Sequence, residues 1–320
     1  MLRVIVLGYG EMAASLMLGV LESGHNLVGY MPWEFNSNPN IIKKLFPFFF
    51  HDDLSTIAKK YKIHKIKASL TKDVAFKKEI KRLKPDVILV GSWGEILKED
   101  VIKLPKIATI NCHPSLLPRY RGANPYAAVL KADEKVSGIT FHLVDKGIDT
   151  GAILLQKSVD INDDDTGETL RIKCSYRSKE TIGGLLDDLE NDIIIPLIQD
   201  ESKSSYHKRL NLYDTSIDWN TSARSIHNRI RAITPWLYGY AEHGENILML
   251  RKTKIVDVQA NSRKPGTIIQ KGNNFIVVAT ADNDKAVMFS QVGLYGKSKR
   301  FFSPIYFKFV IKEGDILKKL

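Results

Sequence analysis

Three polar residues have the types and spacing to do chemistry together. Asn111 and His113 end an apolar run, and Asp149 lies between Gly147 and Gly151 further along the chain. An amide can donate a hydrogen bond to a developing oxyanion, and an imidazole can move a proton near neutral pH. A nearby carboxylate can orient or charge that imidazole. The combination therefore predicts transfer of an acyl-type group to an amine.

Each of these residues also has an ordinary structural interpretation. A lone histidine at a strand end often only satisfies local hydrogen bonds, and an aspartate beside glycine is normal turn chemistry. The chemistry does not require a serine or cysteine nucleophile. Ser115 lacks the Gly-x-Ser-x-Gly setting of a nucleophile elbow. Cys112 should point away from its two neighbours, because strand side chains alternate, so we predict a core thiol.

The segments around these residues predict an α/β sheet that would position them. Strands are expected at 2–8, 27–31, 64–68, 85–91, 107–111, 138–145 and 151–159, and helices at about 52–61, 72–84, 122–131 and from Asp165 or Thr166 to about 199. Apolar, non-alternating strands that alternate with helices are typical of a parallel sheet. Ligands of such sheets bind beyond the carboxyl ends of the strands, which is where Asn111 and His113 fall.

A glycine-containing turn from Gly8 to Ala13 follows the first predicted strand and has the form Gly-x-Gly-x-x-Ala. That form can bring a dinucleotide pyrophosphate to a helix N-terminus. The acid expected after the second strand is missing, since only Glu34 is present and it follows a proline. We therefore favour a tight strand-to-helix turn without a bound nucleotide.

The chain divides by composition into two parts. We predict a catalytic domain at 1–199, a polar linker at 200–216 and a small β-rich domain at 217–320. Residues 206–320 hold 19 lysines and arginines against nine acids, so they carry +10 of the total net charge of +11. This asymmetry predicts a polyanion partner for the second part. Lysine-rich composition alone explains it less well, because the first part balances its lysines with acids.

Two long segments resemble the 10-formyltetrahydrofolate-dependent formyltransferases. They are "NCHPSLLPRYRGANP" and "SGITFHLVDKGIDTGAIL", which match the family's Asn-x-His, Ser-Leu-Leu-Pro, Gly and Asp-x-Gly motifs. The resemblance implies a Rossmann-like domain with a mostly parallel sheet and catalytic Asn111, His113 and Asp149. It implies that 10-formyltetrahydrofolate is the formyl donor and that no metal is needed. The implied folate contacts are Ser115, Leu116, Leu117, Pro118, Trp93, Gly94 and Ile96.

The second part is similar to the C-terminal domain of methionyl-tRNA formyltransferases and of some sugar-nucleotide formyltransferases. The resemblance implies an OB-like domain and initiator methionyl-tRNA as the partner. Lysine and arginine contacts to phosphates would make that binding salt-sensitive. The candidate nucleic-acid contacts are Lys43, Lys44, Arg229, Arg231, Arg251, Lys252, Lys254, Lys297, Lys299 and Arg300, each of which could instead belong to a solvated face.

Residues 32–50 depart from the tRNA enzymes, which usually carry a basic, glycine-containing loop there. Here the segment is aromatic and apolar, with only Lys43 and Lys44 basic. It could stack on a base, although we favour packing of "FPFFF" onto the body as core. An amino sugar on a nucleotide, or another small amine, therefore remains an alternative acceptor. A non-catalytic folate- or RNA-binding relative is disfavoured, because all three polar residues are present.

The remaining composition is ordinary. The N-terminal apolar run lacks a small-residue cleavage site, and no run of about 18 apolar residues predicts a membrane helix. Cys112 and Cys174 are the only cysteines and lack a metal-type spacing. We therefore expect a cytoplasmic protein without disulfides. The sequence does not indicate an oligomeric state.

Overall fold

A computed structural model describes residues 1–33, 53–68, 70–210, 215–259, 263–295 and 310–320. Two compact units are formed by residues that alternate along the chain. Unit 1 holds 1–125, 136–161 and 171–207, and unit 2 holds 126–135, 162–170 and 208–320. The predicted boundaries at 199 and 216 stay a prediction. Within the described part of the chain, no helix is both long and apolar enough to cross a membrane.

Unit 1 contains a six-stranded sheet. Its strands are β1 (Arg3–Gly8), β2 (Asn26–Pro32), β3 (Val87–Gly91), β4 (Ala108–His113), β6 (Val136–Leu143) and β7 (Ile153–Asp160). The order is β2-β1-β3-β4-β6-β7. The first four strands are parallel, whereas β6 and β7 each run antiparallel to the preceding strand in that order. The predicted mostly parallel sheet is confirmed, and its last two strands form a hairpin.

The helices follow the predicted alternation. They are α1 (Gly10–Glu22), α2 (Asp53–Tyr61), α3 (Val74–Leu83), α4 (Glu99–Ile102), α5 (Pro125–Lys131), α6 (Gly167–Glu190) and α7 (Ala223–Ile233). The helix expected to reach about 199 ends at Glu190 instead. Asp192 takes a left-handed conformation with φ of 56°, which ends a helix, and Pro196 prevents its resumption.

Apolar side chains and close backbone contacts hold the helices on this sheet. Phe76 and Ile80 of α3 are buried against Ile5 of β1 and Ile88 of β3. On α1, Met12 and Leu16 lie so close to Gly91 that a side chain there would meet them. A Cβ at Gly8 would lie 1.9 Å from the Gly91 carbonyl oxygen. Glycine at the start of the Gly8–Ala13 turn is therefore explained by packing of β1 against β3.

Unit 2 contains a five-stranded antiparallel sheet. Its strands are β9 (Gly239–His243), β10 (Asn246–Asp257), β11 (Ile268–Lys271), β12 (Ile276–Ala279) and β13 (Lys285–Tyr295), in the order β11-β12-β13-β10-β9. Ile226 and Ile230 of α7 are buried in one core with Leu248 and Phe289 of the sheet. The β-rich C-terminal architecture is confirmed, and its OB-like topology stays a prediction.

Candidate functional site

Asn111, His113 and Asp149 lie together at the carboxyl end of β4. Asn111 and His113 are among the last three residues of that strand, and Asp149 is in the loop that joins β6 to β7. The Asn111 amide donates to Asp149 Oδ1 at 3.3 Å. His113 Nδ1 lies 3.4 Å from Asp149 Oδ2. Residues 38 positions apart in the chain thus form one polar cluster at a sheet edge where ligands bind.

The imidazole of His113 is buried, with Nε2 bonded to the backbone and Nδ1 beside Asp149. Its Nε2 lies 2.9 Å from the carbonyl oxygen of Tyr120, and because a carbonyl can only accept, that nitrogen carries a proton. Burial lowers the pKa of His113 from its ordinary value, although Asp149 and the Tyr120 carbonyl act in the opposite direction. A neutral His113 therefore has its free lone pair on Nδ1, on the side of Asp149.

Asp149 is held as a carboxylate. Burial opposes its ionisation, but the adjacent imidazoles of His113 and His142 and the backbone N–H of Gly122 lower the pKa of Asp149 to about 2. The backbone bond comes from the Gly122 N–H, which donates to Asp149 Oδ2 at 2.9 Å. A carboxyl group with so low a pKa is a poor proton acceptor near neutral pH, whereas a neutral imidazole is a good one. The cluster therefore separates a fixed negative charge from a usable base.

His142 is a fourth member of the cluster, which the sequence motifs did not indicate. It lies on β6 directly opposite Asn111 and is 2% exposed. Its Nδ1 donates to the Leu143 carbonyl at 2.8 Å, which leaves Nε2 to accept the Asn111 amide at 3.1 Å. Both Asn111 N–H groups are therefore engaged, and donation to an oxyanion requires one contact to exchange. The 3.3 Å bond to Asp149 is the longer of the two.

The segment from Ser115 to Pro118, predicted to contact folate, forms a turn whose polar groups bond mainly within the protein. Ser115 is fully buried, and its hydroxyl donates to the Arg119 carbonyl at 2.9 Å. The Leu117 N–H donates to Thr140 Oγ1 at 3.1 Å, and the Leu117 side chain is buried. Leu116 and Pro118 are half-buried. Leu116 and Pro118 therefore offer the accessible side chains of this predicted contact.

The other predicted folate contacts lie in the loop that follows β3. Trp93 packs edge-on against Trp33, with ring centroids 4.8 Å apart, and a Cβ at Gly94 would meet the Trp33 indole at 2.6 Å. The Trp93 indole N–H is buried and has no hydrogen-bond partner among the described residues. Ile96 is 70% exposed. An aromatic pair, an exposed isoleucine and an available donor suit a wall for a heteroaromatic ligand.

Two of the predicted nucleic-acid contacts have guanidinium groups that bind backbone carbonyl oxygens within unit 2. Arg231 is 4% exposed and donates to the carbonyl oxygens of Asn162 and Asp165 at 2.9 and 3.2 Å. Arg251 donates to the Pro235 carbonyl at 2.6 Å and lies over a tyrosine ring. These contacts argue against the predicted phosphate role, for Arg231 most strongly, because its guanidinium is not accessible.

The remaining basic candidates differ in what the structure says of them. Lys252 and Lys254 have exposed side chains on β10, and Arg229 on α7 is half-buried. Lys43, Lys44, Lys297, Lys299, Arg300 and the "FPFFF" segment lie outside the described residues. Cys112 is buried, as predicted for a core thiol, and burial raises its pKa.

Family models match most of the chain. Residues 50–183 match the model described as formyl transferase, and residues 209–300 match that described as formyl transferase, C-terminal domain. A curated methionyl-tRNA formyltransferase of Clostridium novyi (strain NT) is 36% identical over 214 residues. That alignment spans 67% of this chain and 69% of the relative.

Solved structures share the fold. An N-formyltransferase from Helicobacter canadensis, crystallised with folinic acid and dTDP-3-aminofucose, superposes with a TM-score of 0.68 at 19% identity. The match covers 92% of this chain and all of that one. A methionyl-tRNA formyltransferase from Clostridium thermocellum gives 0.55 at 16% identity, over 79% of this chain and 93% of its own.

Proposed function

This chain belongs to the formyl transferase family, and we propose that it moves a formyl group from 10-formyltetrahydrofolate to the amino group of methionyl-tRNA. The observation that carries the proposal is the cluster of Asn111, His113 and Asp149 in a chain that is 36% identical over 214 residues to a methionyl-tRNA formyltransferase. The test is to incubate the protein with 10-formyltetrahydrofolate and methionyl-tRNA and to follow formylmethionine on the tRNA. Absence of that product overturns the proposal.

The reaction exchanges one carbon–nitrogen bond for another. The amine nitrogen attacks the formyl carbon, the bond from that carbon to the folate nitrogen breaks, and the amine loses a proton that the folate nitrogen gains. We assign this proton to His113, whose neutral Nδ1 can accept it, and the charge that stabilises the resulting imidazolium to Asp149. Asn111 donates to the oxygen of the formyl group as negative charge develops there.

The donor is assigned to the surface formed by the loop after β3 and the turn after β4. Leu116, Pro118, Trp93 and Ile96 offer apolar surface for the ring system, and the Trp93 N–H offers a hydrogen-bond donor. The folate supplies the formyl group, and methionyl-tRNA supplies the attacking amine. The base, the stabilising charge and the oxyanion donor come from this chain.

The pH dependence of kcat/KM follows from the burial of His113. Because burial lowers the pKa of His113, the imidazole remains neutral and basic down to below its ordinary titration range. After division by the fraction of the acceptor amine that is unprotonated, we expect kcat/KM to be level near pH 7 and to fall about tenfold per pH unit once the pH drops below the lowered pKa of His113. A pH–rate profile measures the acidic limb. A limb lying above the ordinary histidine pKa contradicts this assignment.

A tRNA acceptor makes the reaction sensitive to salt. Lysine and arginine contacts to phosphates release counterions, so kcat/KM for methionyl-tRNA should fall at least about tenfold between 50 and 200 mM salt. Replacing Lys252 and Lys254 together by glutamate should lower kcat/KM at low salt and flatten this slope. The matched control is Lys72→Glu with Lys78→Glu, which reverses two exposed lysines of unit 1. Equal effects of both pairs contradict the assignment of Lys252 and Lys254.

A further inference from the structure

The buried side-chain amide of Gln199 forms hydrogen bonds with the backbone of the loop that carries Asp149. Gln199 is 6% exposed. Its Nε2 donates to two carbonyl oxygens of that loop, at 2.8 Å to Asp149 and 2.7 Å to Gly151. The residue lies 50 positions from Asp149 in the chain, so these bonds are tertiary contacts. Glutamine is mostly exposed in proteins, so its burial here depends on these hydrogen bonds.

Arg121 fixes the other end of the same amide. Its Nε and Nη2 donate to Gln199 Oε1 at 3.1 and 2.7 Å. The guanidinium also forms a bidentate pair with Glu201, with Nη1 and Nη2 at 2.9 and 2.7 Å from its two oxygens. Since a guanidinium only donates, it forces the amide oxygen toward itself and the amide N–H groups toward the Asp149 loop. The orientation of Gln199 is thus determined from both sides.

The loop between β6 and β7, which Gln199 contacts, holds Asp149 in a left-handed backbone conformation. Asp149 has a φ of +56°, a left-handed region that is less favourable than the right-handed one for residues other than glycine, although aspartate tolerates it better than most. Such a conformation persists only where surrounding contacts impose it. The two bonds from Gln199 act at the Asp149 carbonyl and two residues beyond it. They are therefore placed to impose the conformation that aims the carboxylate at His113.

The segment that follows Gln199 contacts a second loop of the site, at residues 120–122. Strand β8 (Tyr206–His207) pairs with β5 (Arg121–Gly122), and the Tyr120 N–H donates to Ser205 Oγ at 2.8 Å. Tyr120 supplies the carbonyl that His113 Nε2 contacts, and Gly122 supplies the N–H that Asp149 Oδ2 accepts. Residues 199–207, which we call the strap, thus contact both loops that fix the His113–Asp149 pair.

We propose that Gln199 is a positioning residue for formyl transfer, whose two N–H groups hold the Asp149 loop so that the carboxylate faces His113. The inference rests on the proposed function, and Gln199 itself contacts no reacting atom. Loss of the two donors lets the loop relax from its left-handed conformation and moves the carboxylate. Because a displacement of about 1 Å in such a pair can cost about 10²-fold in rate, a small relaxation suffices.

Two replacements separate the two ends of the amide. Gln199→Glu keeps an oxygen for Arg121 and loses both donors, while Gln199→Met keeps the length and loses both ends. We expect each to lower kcat about 10- to 100-fold with KM values for tRNA and folate changed less than about threefold. Wild-type kcat in Gln199→Glu overturns the proposal, because only the bond to Arg121 would then matter. Gln199→Glu retains size and the Arg121 pairing, so it decides the question if Gln199→Met does not fold.

A control variant removes an exposed side-chain amide elsewhere in unit 1. Asn191 donates from Nδ2 to the Asp187 carbonyl at 2.8 Å near the end of α6. Asn191→Leu removes an amide-to-carbonyl bond without touching the site, so it should leave kcat at the wild-type value. An equal fall in kcat for Asn191→Leu and Gln199→Met, scaled with a shared loss of thermal stability, would show a merely structural role and overturn the proposal.

Two further readouts report position rather than stability. In the Asp149→Asn background, Gln199→Glu should lower kcat less than about threefold, because its effect acts through Asp149; a full additional loss overturns the proposal. The imidazole of His113, followed by NMR titration, should have a lower pKa in Gln199→Met than in wild type, since the charge of Asp149 raises it. The titration needs no turnover, so it tests the positioning role even if methionyl-tRNA is not the acceptor.

Discussion

Replacing His113 by alanine should lower kcat for formyl transfer by about 10²- to 10⁴-fold, the usual contribution of a general acid–base group. The variant loses the Nδ1 that lies 3.4 Å from Asp149 Oδ2 and that we assign as the acceptor of the amine proton. KM for the folate should change little, because His113 is 4% exposed and offers the ligand little surface. Steady-state kinetics with both substrates varied provide the measurement.

A second variant separates loss of the base from loss of the fold. His113 is packed inside and donates to the Tyr120 carbonyl, so alanine leaves a cavity and an unpartnered acceptor. His113→Gln offers an amide N–H for that carbonyl but no base near neutral pH. It should therefore melt closer to wild type than His113→Ala and be just as slow. Turnover within about threefold of wild type in a folded His113→Gln protein would show that His113 does not move the proton.

Replacing Asp149 by asparagine should lower kcat by about 10²-fold or more. The change keeps the size of the side chain and an oxygen for the Gly122 N–H, but removes the negative charge. That charge raises the pKa of His113 and would stabilise its imidazolium as the amine loses its proton. The acidic limb of the pH profile should therefore move to lower pH while the maximal rate falls.

The matched comparison for Asp149→Asn is an acid in the same loop. Asp145 is exposed and accepts from the Gly147 N–H and the Thr150 hydroxyl, so it shapes the turn without facing His113. Asp145→Asn should leave the pH limb in place and change kcat by less than about threefold. If both variants behave alike, the effect belongs to the loop and not to the charge of Asp149.

The sequence predicted the reacting residues because their chemistry is visible locally. Asn111 and His113 end an apolar strand, and Asp149 lies between glycines, so the end of the sheet could be expected to gather them. His142 escaped notice because its role depends on register, which places it opposite Asn111 across an antiparallel pair. A histidine inside an apolar strand was the available signal.

Other parts of the site could not be predicted because they depend on contacts between distant residues. Gln199 and Arg121 are 78 positions apart, and the residues after Gln199 are polar enough to suggest a linker. Arg231 was predicted to contact nucleic acid, but its guanidinium is bonded to internal carbonyl oxygens. A count of basic residues does not distinguish such a group from an exposed one. Composition located the charge, and only packing decides which charges are accessible.

The acceptor is tested most directly by measuring kcat/KM for two acceptors side by side, with 10-formyltetrahydrofolate as the donor. One acceptor is methionyl-tRNA, and the other is an amino sugar on a nucleotide such as dTDP-3-aminofucose. We expect methionyl-tRNA to be formylated with a kcat/KM about 10³-fold or more above that of the amino sugar. Preferential formylation of the amino sugar, with the tRNA unmodified, would contradict it.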